Sequence, residues 1–191
     1  DAKSIAETGK DMHGVSALQA MFSSYGDYKL PMYIWFASVS FTLFGASDFA
    51  LRLPNAVAGL LQGLLIFFLL KELTGQHLTK RQSLTASVTG WFILAVSPWS
   101  VLFSRTGFEG YIGQVFVTAS VLCLFLSKRS LQWLIPATLL GIAAVYSYYS
   151  VRFVWPVLLI PFALMPLVTS RHLTGYLKMV PLYLLCLTIW G

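Results

Sequence analysis

Acidic and basic residues occur in pairs within the polar stretches that separate the apolar parts of this chain. Asp27 and Lys29 flank Tyr28 in GDYK, and Arg105 and Glu109 lie four residues apart, which places them on one face of a helix. Lysine holds a phosphate as a point charge, and arginine holds it through a bidentate fork. Carboxylates beside them can bind a divalent metal ion or act as a general base. These residue types indicate a site for an anionic substrate.

Two further arginines fit the same chemistry. Arg152 follows a run of tyrosines that includes Tyr148, which could form a substrate platform, and Arg52 precedes Pro54 in RLP. Simpler interpretations exist, because tyrosines collect at membrane interfaces and proline is tolerated in the first turn of a helix. The tyrosines could be an aromatic belt, and Arg52 could only mark a helix that begins at Pro54.

The paired residues also have simpler interpretations. Lys29 could extend its ammonium group toward lipid headgroups without binding a substrate. Arg105 and Glu109 could form a surface ion pair that contributes roughly a few tenths of a kcal/mol. The residue chemistry by itself leaves both sets of alternatives open.

The composition indicates whether water or lipid surrounds the chain. Of 191 residues, 57% are hydrophobic and 10% are charged, whereas an ordinary soluble domain has roughly 45 to 50% and about 25%. The charges fall between the apolar blocks, as expected when a charge inside the bilayer costs several kcal/mol. The sequence therefore predicts an all-α polytopic membrane protein. Its net charge of +6 is interpreted as a signal of membrane topology, and no nucleic-acid partner is expected.

About six transmembrane helices are predicted in residues 54–191, because a span needs about 20 largely apolar residues. A sixth apolar stretch begins near Met179 and still continues at Gly191, while the polar opening begins at Asp1 without a signal-like segment. We therefore expect residues 1–191 to be part of a single membrane domain that continues at both ends. The five earlier predicted spans are residues 54–70, 84–103, 113–126, 131–149 and 153–168.

The apolar segment 30–44 decides the orientation. It is short for a span, and its aromatic residues suit a helix that lies at the membrane interface. If it does not cross, most of the Lys and Arg residues fall on one side, which is then cytoplasmic, and six of the seven acids fall on the other. We prefer this interfacial or re-entrant helix within an external loop of residues 1–53, although an ordinary short span stays open. The seven cytoplasmic cations are Lys71, Lys80, Arg81, Lys128, Arg129, Arg171 and Lys178.

Four stretches carry a resemblance to a known family. In order along the chain they are SIAETGKDMHG, FSSYGDYKLPMYIWFASVSFTLFGASDFALRLPNAVAG, SPWSVLFSRTGFEGYI and YSYYSVRFVWP. Together they resemble the bacterial dolichyl-phosphate-mannose protein mannosyltransferases and their relatives, which include the lipid A aminoarabinose transferases. The resemblance implies the GT-C fold, a transmembrane helix bundle with interfacial helices in a long first external loop.

The resemblance also implies an activity. It predicts a glycosyltransferase that moves a sugar from a polyprenyl-phosphate donor to a protein, lipid or glycan acceptor. The reaction would take place at the periplasmic or external face of the bacterial inner membrane. The chain alone is expected to be inactive, because the family's catalytic Asp would lie upstream of residue 1.

The same resemblance assigns roles to individual residues. Lys29 would contact the donor phosphate, and Glu109 would have a catalytic role in orienting the acceptor or a metal ion. A divalent metal ion is a possible cofactor, but this chain has Tyr28 directly before the lysine where some relatives have an acid, which weakens a metal ligand there. The other residues expected to bind substrate are Asp27, Arg52, Arg105, Tyr148 and Arg152.

Two other classes of protein are alternatives. A secondary transporter would carry ionisable residues near the middle of its spans, and the predicted spans have no Asp, Glu, Lys or Arg at their centres. A non-catalytic membrane assembly or polymer-ligase subunit is the other alternative. An Asp-Glu pair upstream of Asp1 would favour the enzyme, and its absence from the parent gene would favour the non-catalytic relative.

Overall fold

The computed structural model describes residues 1–24, 26–75 and 77–168, with side chains as far as Ile160. The predicted span near Met179, and the predicted cytoplasmic residues Arg171 and Lys178, lie outside the described residues. The described elements are, in chain order, α1 (Ala2–Thr8), β1 (Phe22–Ser24), β2 (Asp27–Lys29), α2 (Pro31–Phe44), α3 (Asp48–Thr74), α4 (Lys80–Val96), α5 (Pro98–Arg105), α6 (Glu109–Leu126), a 3₁₀ turn (Leu131–Trp133), α7 (Leu134–Val145) and α8 (Val151–Val168).

The helical membrane fold is confirmed, with one small addition. Strands β1 and β2 form an antiparallel hairpin in which Ser24 pairs with Asp27 and Phe22 pairs with Lys29. Gly26, directly before β2, has φ of 82°, a conformation that favours glycine. Because side chains alternate along a strand, Asp27 and Lys29 point to the same side of β2.

The surface of the bundle is apolar and several of its buried residues are polar. On α3, Leu60 and Leu64 are exposed, whereas Asn55 and Gln62 are buried. Exposed large apolar side chains recur on α4, α7 and α8. This distribution suits hydrocarbon as the solvent, because polar groups in lipid must be satisfied within the protein.

Two helices, α3 and α6, are long and apolar enough to cross a membrane on their own. The helix pair α4 and α5 passes the same test together and is bent by 59° at its break. Shorter apolar helices are Pro31–Phe44, Leu131–Val145 and Val151–Ile160, which is the part of α8 described with its side chains. The five predicted apolar blocks that lie within the described residues therefore coincide with helices, and the differences that matter most are at Pro54 and Pro98.

Helix α3 begins six residues before Pro54, where the sequence suggested a helix start. Ser47 caps it by accepting a hydrogen bond from the Ala50 amide at 3.2 Å. Pro54 is therefore inside the helix and not in its first turn. At 27 residues, α3 is about 40 Å long, so it extends beyond a hydrocarbon layer of about 30 Å.

The predicted span 84–103 is broken into α4 and α5 at Ser97 and Pro98. Proline has no amide N–H to donate, and it restricts the preceding residue to an extended backbone. Ser97 has φ of −62° and ψ of 125°, as this restriction predicts. Pro98 then occupies the first position of α5, where a missing N–H costs least.

Helices α3 and α6 run parallel, which defines two ends of the bundle. Their polar contacts follow the same order on both helices: Gln62 Nε2 donates to Thr118 Oγ1 at 3.0 Å, and Arg129 pairs with Glu72 at 2.7 Å just beyond the end of α6. The N-terminal ends of α3 and α6 therefore lie at one end of the bundle, and Glu72 lies at the other.

Two buried clusters hold the bundle together. The first joins α2, α3 and α6, and the second joins α6, α7 and α8. The first cluster contains Tyr33, Ala37, Ala58, Tyr111, Ile112 and Val115. The second contains Cys123, Leu124, Leu134, Ala137, Ala144, Val145, Val151 and Trp155.

Helix α2 crosses the beginning of α3 instead of running alongside it. Near its start, Tyr33 Oη donates a hydrogen bond to the Leu51 carbonyl at 2.6 Å. At its end, the Phe44 ring lies 5.9 Å from the Phe49 ring. Tyr33 and Phe44 are about 16 Å apart along the helix axis, yet both reach the first turn of α3. This crossed arrangement agrees with the interfacial position predicted for residues 30–44, which stays a prediction.

Candidate functional site

Lys29 lies between two carboxylates at the end of the bundle where α3 and α6 begin. Its Nζ is 3.0 Å from Asp27 Oδ2 and 3.7 Å from Glu109 Oε1. The Lys29 side chain is 41% exposed, so its ammonium group is still accessible to a ligand, whereas the Glu109 side chain is only 15% exposed. The strand geometry of β2 brings Asp27 to Lys29, and the first turn of α6 brings Glu109.

The break between α5 and α6 determines where Glu109 points. Arg105 ends α5 and Glu109 begins α6, so the predicted helical pairing of these two residues is wrong. Asn55 fixes the connection from α3, because its Nδ2 donates to the carbonyls of Thr106 at 2.6 Å and Phe108 at 2.8 Å. Asn55 is fully buried, and its role was not predicted from the sequence.

Arg152 is linked to this cluster by Tyr149, a tyrosine that was not among the site residues predicted from the sequence. Tyr149 Oη donates to the Tyr28 carbonyl at 3.3 Å, next to Lys29, and Arg152 Cζ lies 5.0 Å from the centre of the Tyr149 ring. Arg152 Nε is buried and has no hydrogen-bond acceptor among the residues that the structure describes. The structure thus brings together Asp27, Lys29, Glu109 and, through Tyr149, Arg152.

Tyr148 points to a different neighbour. Its ring meets the Phe108 ring edge-on at 5.5 Å, directly before Glu109 in the chain. Phe108 stacks on Phe103, which stacks on Trp99, with ring centres 5.2 and 6.0 Å apart. Tyr148 therefore ends an aromatic row that supports the start of α6, and its predicted contact with substrate stays a prediction.

Arg52 and Arg105 lie at the same end of the bundle but outside the Lys29 cluster. Both side chains are exposed, and within the described residues neither forms an ion pair. Gly107, two residues after Arg105, lies next to Leu51, the neighbour of Arg52. The two arginines therefore lie on neighbouring segments of the chain at this end of the bundle, and their predicted contact with substrate stays a prediction.

The charges around Lys29 stabilise its ionised form. The hydrogen bond to Asp27 raises the pKa of Lys29, the charge of Glu109 raises it further, and partial burial opposes both effects. The same hydrogen bond lowers the pKa of Asp27, as does the hydrogen bond from the Tyr28 amide. Helices α6 and α8 also begin here, and the N-terminal ends of helices attract anions.

A complete metal site is not formed by the residues in place. Across the described part of the chain, no group of three or more His, Cys, Asp and Glu side chains is placed to hold a metal ion. Asp27 and Glu109 offer two carboxylates, but both already face the Lys29 ammonium group. The positive charge between these carboxylates is therefore supplied by the lysine.

An apolar groove opens between α2, α3 and α6, one helical turn below Glu109. Ile112, three residues after Glu109 on α6, is part of its wall, and the cavity volume is about 300 Å³. Its lining is almost entirely apolar, and the Ser40 hydroxyl within it has no hydrogen-bond partner among the described residues. The other lining residues are Phe36, Val39, Leu43, Phe44, Leu53, Pro54, Val57, Ala58, Leu61, Val115 and Phe116.

Comparison with known proteins identifies relatives of this chain. A family model described as dolichyl-phosphate-mannose-protein mannosyltransferase matches residues 28–190, which include Lys29, Glu109 and Arg152. An uncharacterized protein of Aquifex aeolicus (strain VF5) is 29% identical over 110 residues, which are 58% of this chain and 24% of that protein. The chain thus aligns with about a quarter of this relative's length. No solved structure matches the chain.

Proposed function

The chain belongs to the dolichyl-phosphate-mannose-protein mannosyltransferase family, and from that premise we propose that the protein transfers a sugar from a polyprenyl-phosphate donor. The acceptor would be a hydroxyl group of a protein, lipid or glycan. The reaction would take place at the external face of the bacterial inner membrane. The match to the family confirms the resemblance noted in the sequence, and the donor, the acceptor and the face are parts of this proposal.

The observation that carries the proposal is the position of Lys29. A half-exposed ammonium group is held by Asp27 and Glu109 at the end of the bundle where α6 and α8 begin. Arg152, with a buried Nε that lacks an acceptor among the described residues, lies behind Tyr149 on the same side. A phosphate bound here would meet a point charge, a guanidinium group and two helix N-termini.

The apolar groove is an argument for a donor that carries a lipid chain. A polyprenyl chain needs an apolar path from the bilayer to the phosphate site, and the groove lies one turn below Glu109. Its volume of about 300 Å³ could accept the first part of such a chain while the phosphate lies near Lys29. We propose that the isoprenoid segment nearest the phosphate binds between α2, α3 and α6.

The opposite ends of the bundle support the proposed orientation. Glu72 and Arg129 pair at the far end from Lys29, and the basic residues Lys71, Lys80 and Arg81 are on the helices that meet there. Lys and Arg residues are enriched on the cytoplasmic side of membrane proteins. The Lys29 cluster would therefore face the periplasm or the cell exterior.

The proposed step is an inverting displacement at the anomeric carbon. A base would take the proton from the acceptor hydroxyl, and the acceptor oxygen would form a bond to the anomeric carbon. The bond from that carbon to the phosphate oxygen would break, and the polyprenyl phosphate would leave with the electron pair. Lys29 and Arg152 would stabilise the developing negative charge on the phosphate. The base would be the Asp that the family resemblance predicts upstream of residue 1.

Glu109 would contribute to this step by positioning Lys29 and the acceptor. It holds the Lys29 ammonium group from the α6 side, and its second oxygen could accept a hydrogen bond from the acceptor. This proposal keeps the role in orienting the acceptor that was predicted from the sequence. It requires no metal ion, because Lys29 already provides a cation between the two carboxylates.

The test is sugar transfer by the full-length protein in membranes, with a labelled polyprenyl-phosphate sugar as donor. A hydrogen bond to a charged group contributes about 1.5 to 3 kcal/mol, so Lys29→Ala should lower kcat/KM by roughly tenfold to a hundredfold. Lys29→Arg, which keeps the charge, should retain part of the activity. Lys3→Ala is the control, since Lys3 is exposed and forms only a 3.9 Å surface pair with Glu7.

The outcomes separate the enzyme from a non-catalytic relative. Transfer that depends on Lys29 and not on Lys3 would support the glycosyltransferase. If folded wild-type protein transfers no common polyprenyl-phosphate sugar, a non-catalytic membrane assembly or polymer-ligase subunit becomes the better account.

A further inference from the structure

A second cavity lies at the opposite end of the bundle, between the end of α3, the beginning of α4 and the end of α6. Its volume is about 650 Å³, and its walls combine apolar side chains with a basic rim. The apolar wall contains Phe68, Leu78, Leu84, Leu122 and Leu126. The polar lining contains Lys71, Glu72, Lys80, Ser83 and Arg129.

The ion pair in this cavity leaves an excess of positive charge. Arg129 Nη2 lies 2.7 Å from Glu72 Oε2, and the Glu72 side chain is only 9% exposed. Within the described residues, Lys71 and Lys80 form no ion pair with any carboxylate. Glu72 neutralises Arg129, so two lysines at the rim are available to an anion.

The beginning of α4 adds to the attraction. Thr79 caps this helix in a reciprocal arrangement with Gln82, and the first turn contains no acidic residue. The N-terminus of a helix carries a partial positive charge, which favours an anion nearby. Lys80 is the first residue of the helix and lines the cavity, so its charge and the helix terminus act at the same place.

The size and the walls favour a lipid over a small soluble anion. A volume of 650 Å³ would hold about twenty water molecules at about 30 Å³ each, far more space than an inorganic phosphate occupies. Phe68 and Leu122 belong to α3 and α6, the two helices that can each cross the membrane alone. An acyl chain could therefore follow them from the bilayer while its headgroup meets Lys71 and Lys80.

We infer that this cavity binds the headgroup and the upper acyl segment of an anionic phospholipid at the membrane face opposite the Lys29 cluster. Basic pockets between membrane helices are suited to such headgroups. The lipid would bridge α3, α4 and α6, and so would hold α4 against the two parallel helices. This site is separate from the proposed donor site and does not depend on the proposed reaction.

Native mass spectrometry of the full-length protein in neutral detergent tests the inference, with phosphatidylglycerol and phosphatidylcholine as probes. A basic residue near an anionic surface contributes about 1 kcal/mol, so the double variant Lys71→Gln/Lys80→Gln should raise the Kd for phosphatidylglycerol about thirtyfold. The double variant Arg81→Gln/Lys128→Gln is the control. It removes the same charge from nearby positions that do not line the cavity, and it should change the Kd less than threefold.

Three results would overturn the inference. Equal losses in the two double variants would assign the binding to diffuse surface charge. Equally tight binding of phosphatidylcholine would remove the role of the headgroup charge. Displacement of phosphatidylglycerol by millimolar inorganic phosphate or glycerol phosphate would identify a soluble anion as the ligand.

Discussion

Replacing Asn55 with alanine tests how the start of α6 is held in place. Asn55 reaches from α3 to the carbonyls of Thr106 and Phe108, which are the residues of the break between α5 and α6 that flank Gly107. Glu109 follows directly and contacts Lys29. Asn55→Ala should therefore both destabilise the bundle and loosen the Lys29 cluster, although Asn55 contacts neither Lys29 nor Glu109 through a hydrogen bond.

The size of the effect follows from the two lost hydrogen bonds. Each buried hydrogen bond contributes about 0.5 to 1.5 kcal/mol net, and those between membrane helices average about 0.6 kcal/mol. The loss should therefore lower the free energy of unfolding by about 1 to 3 kcal/mol. A displacement of Glu109 by about 1 Å could lower kcat/KM by as much as a hundredfold.

Gln62→Ala is a matched control on the same helix. Gln62 is also a buried amide, and its Nε2 donates one hydrogen bond to Thr118 Oγ1 at 3.0 Å, two turns further from the Lys29 cluster. It should lower the free energy of unfolding by about 1 kcal/mol and leave kcat/KM unchanged. Unfolding in detergent gives the stability, and sugar transfer from a polyprenyl-phosphate donor gives kcat/KM.

The comparison has a clear refuting result. If Asn55→Ala is less stable but transfers sugar as well as the wild type, the break between α5 and α6 does not position Glu109 for the reaction. If Gln62→Ala loses transfer to the same extent as Asn55→Ala, the loss reflects general loosening of the bundle.

Three further predictions follow from the same contacts. Lys29 and Asp27 stay paired until the pH falls through the lowered pKa of Asp27 or rises through the raised pKa of Lys29. The KM for the donor should therefore be constant around neutral pH. A change of KM near neutral pH that Asp27→Asn abolishes would contradict this prediction. Treatment with EDTA should change the rate of sugar transfer less than twofold, because Lys29 supplies the cation beside Asp27 and Glu109. A loss of transfer that Mg²⁺ restores would instead identify these carboxylates as metal ligands. A Cβ at Gly113 would already lie 3.3 Å from Ser147 Cβ, which leaves no room for a longer side chain. Gly113→Leu should therefore lower the free energy of unfolding by about 1 to 3 kcal/mol, and Gly113→Ala by much less. Equal unfolding temperatures for the two variants would contradict this prediction.

Much of the helical architecture could be predicted from apolar stretches and composition. The predicted blocks coincide with helices because a membrane span must be long and apolar whatever its neighbours are. The helix ends were less predictable. Pro54 suggested a start, but Ser47 provides the cap and the proline lies within α3. Pro98 was a usable signal for the break in the predicted span 84–103, because proline restricts the residue before it.

In the candidate site, contacts between residues close in sequence could be predicted, and contacts between distant residues could not. The Asp27–Lys29 pair follows from their spacing once a strand is assumed, since alternate residues share a face. The contact of Lys29 with Glu109 joins residues 80 positions apart, so it depends on packing that no local pattern encodes. The predicted Arg105–Glu109 pair was wrong because the helix is interrupted between them. Tyr149 was present in the run YSYYSVR, but the sequence could not distinguish it from Tyr148 as the neighbour of Lys29.

The polar contacts between α3 and α6 also have a consequence for the synthesis of the protein. Gln62 is made 56 residues before its partner Thr118, and Glu72 is made 57 residues before Arg129. At about 5 to 20 residues per second, α3 must wait roughly 3 to 11 seconds for these partners to leave the ribosome. During that interval its amide and carboxylate groups need water, the translocon or another protein as a temporary partner. Helix α3 is apolar enough to cross the membrane alone, but the contacts of Gln62 and Glu72 are completed only when α6 and the residues after it have been made.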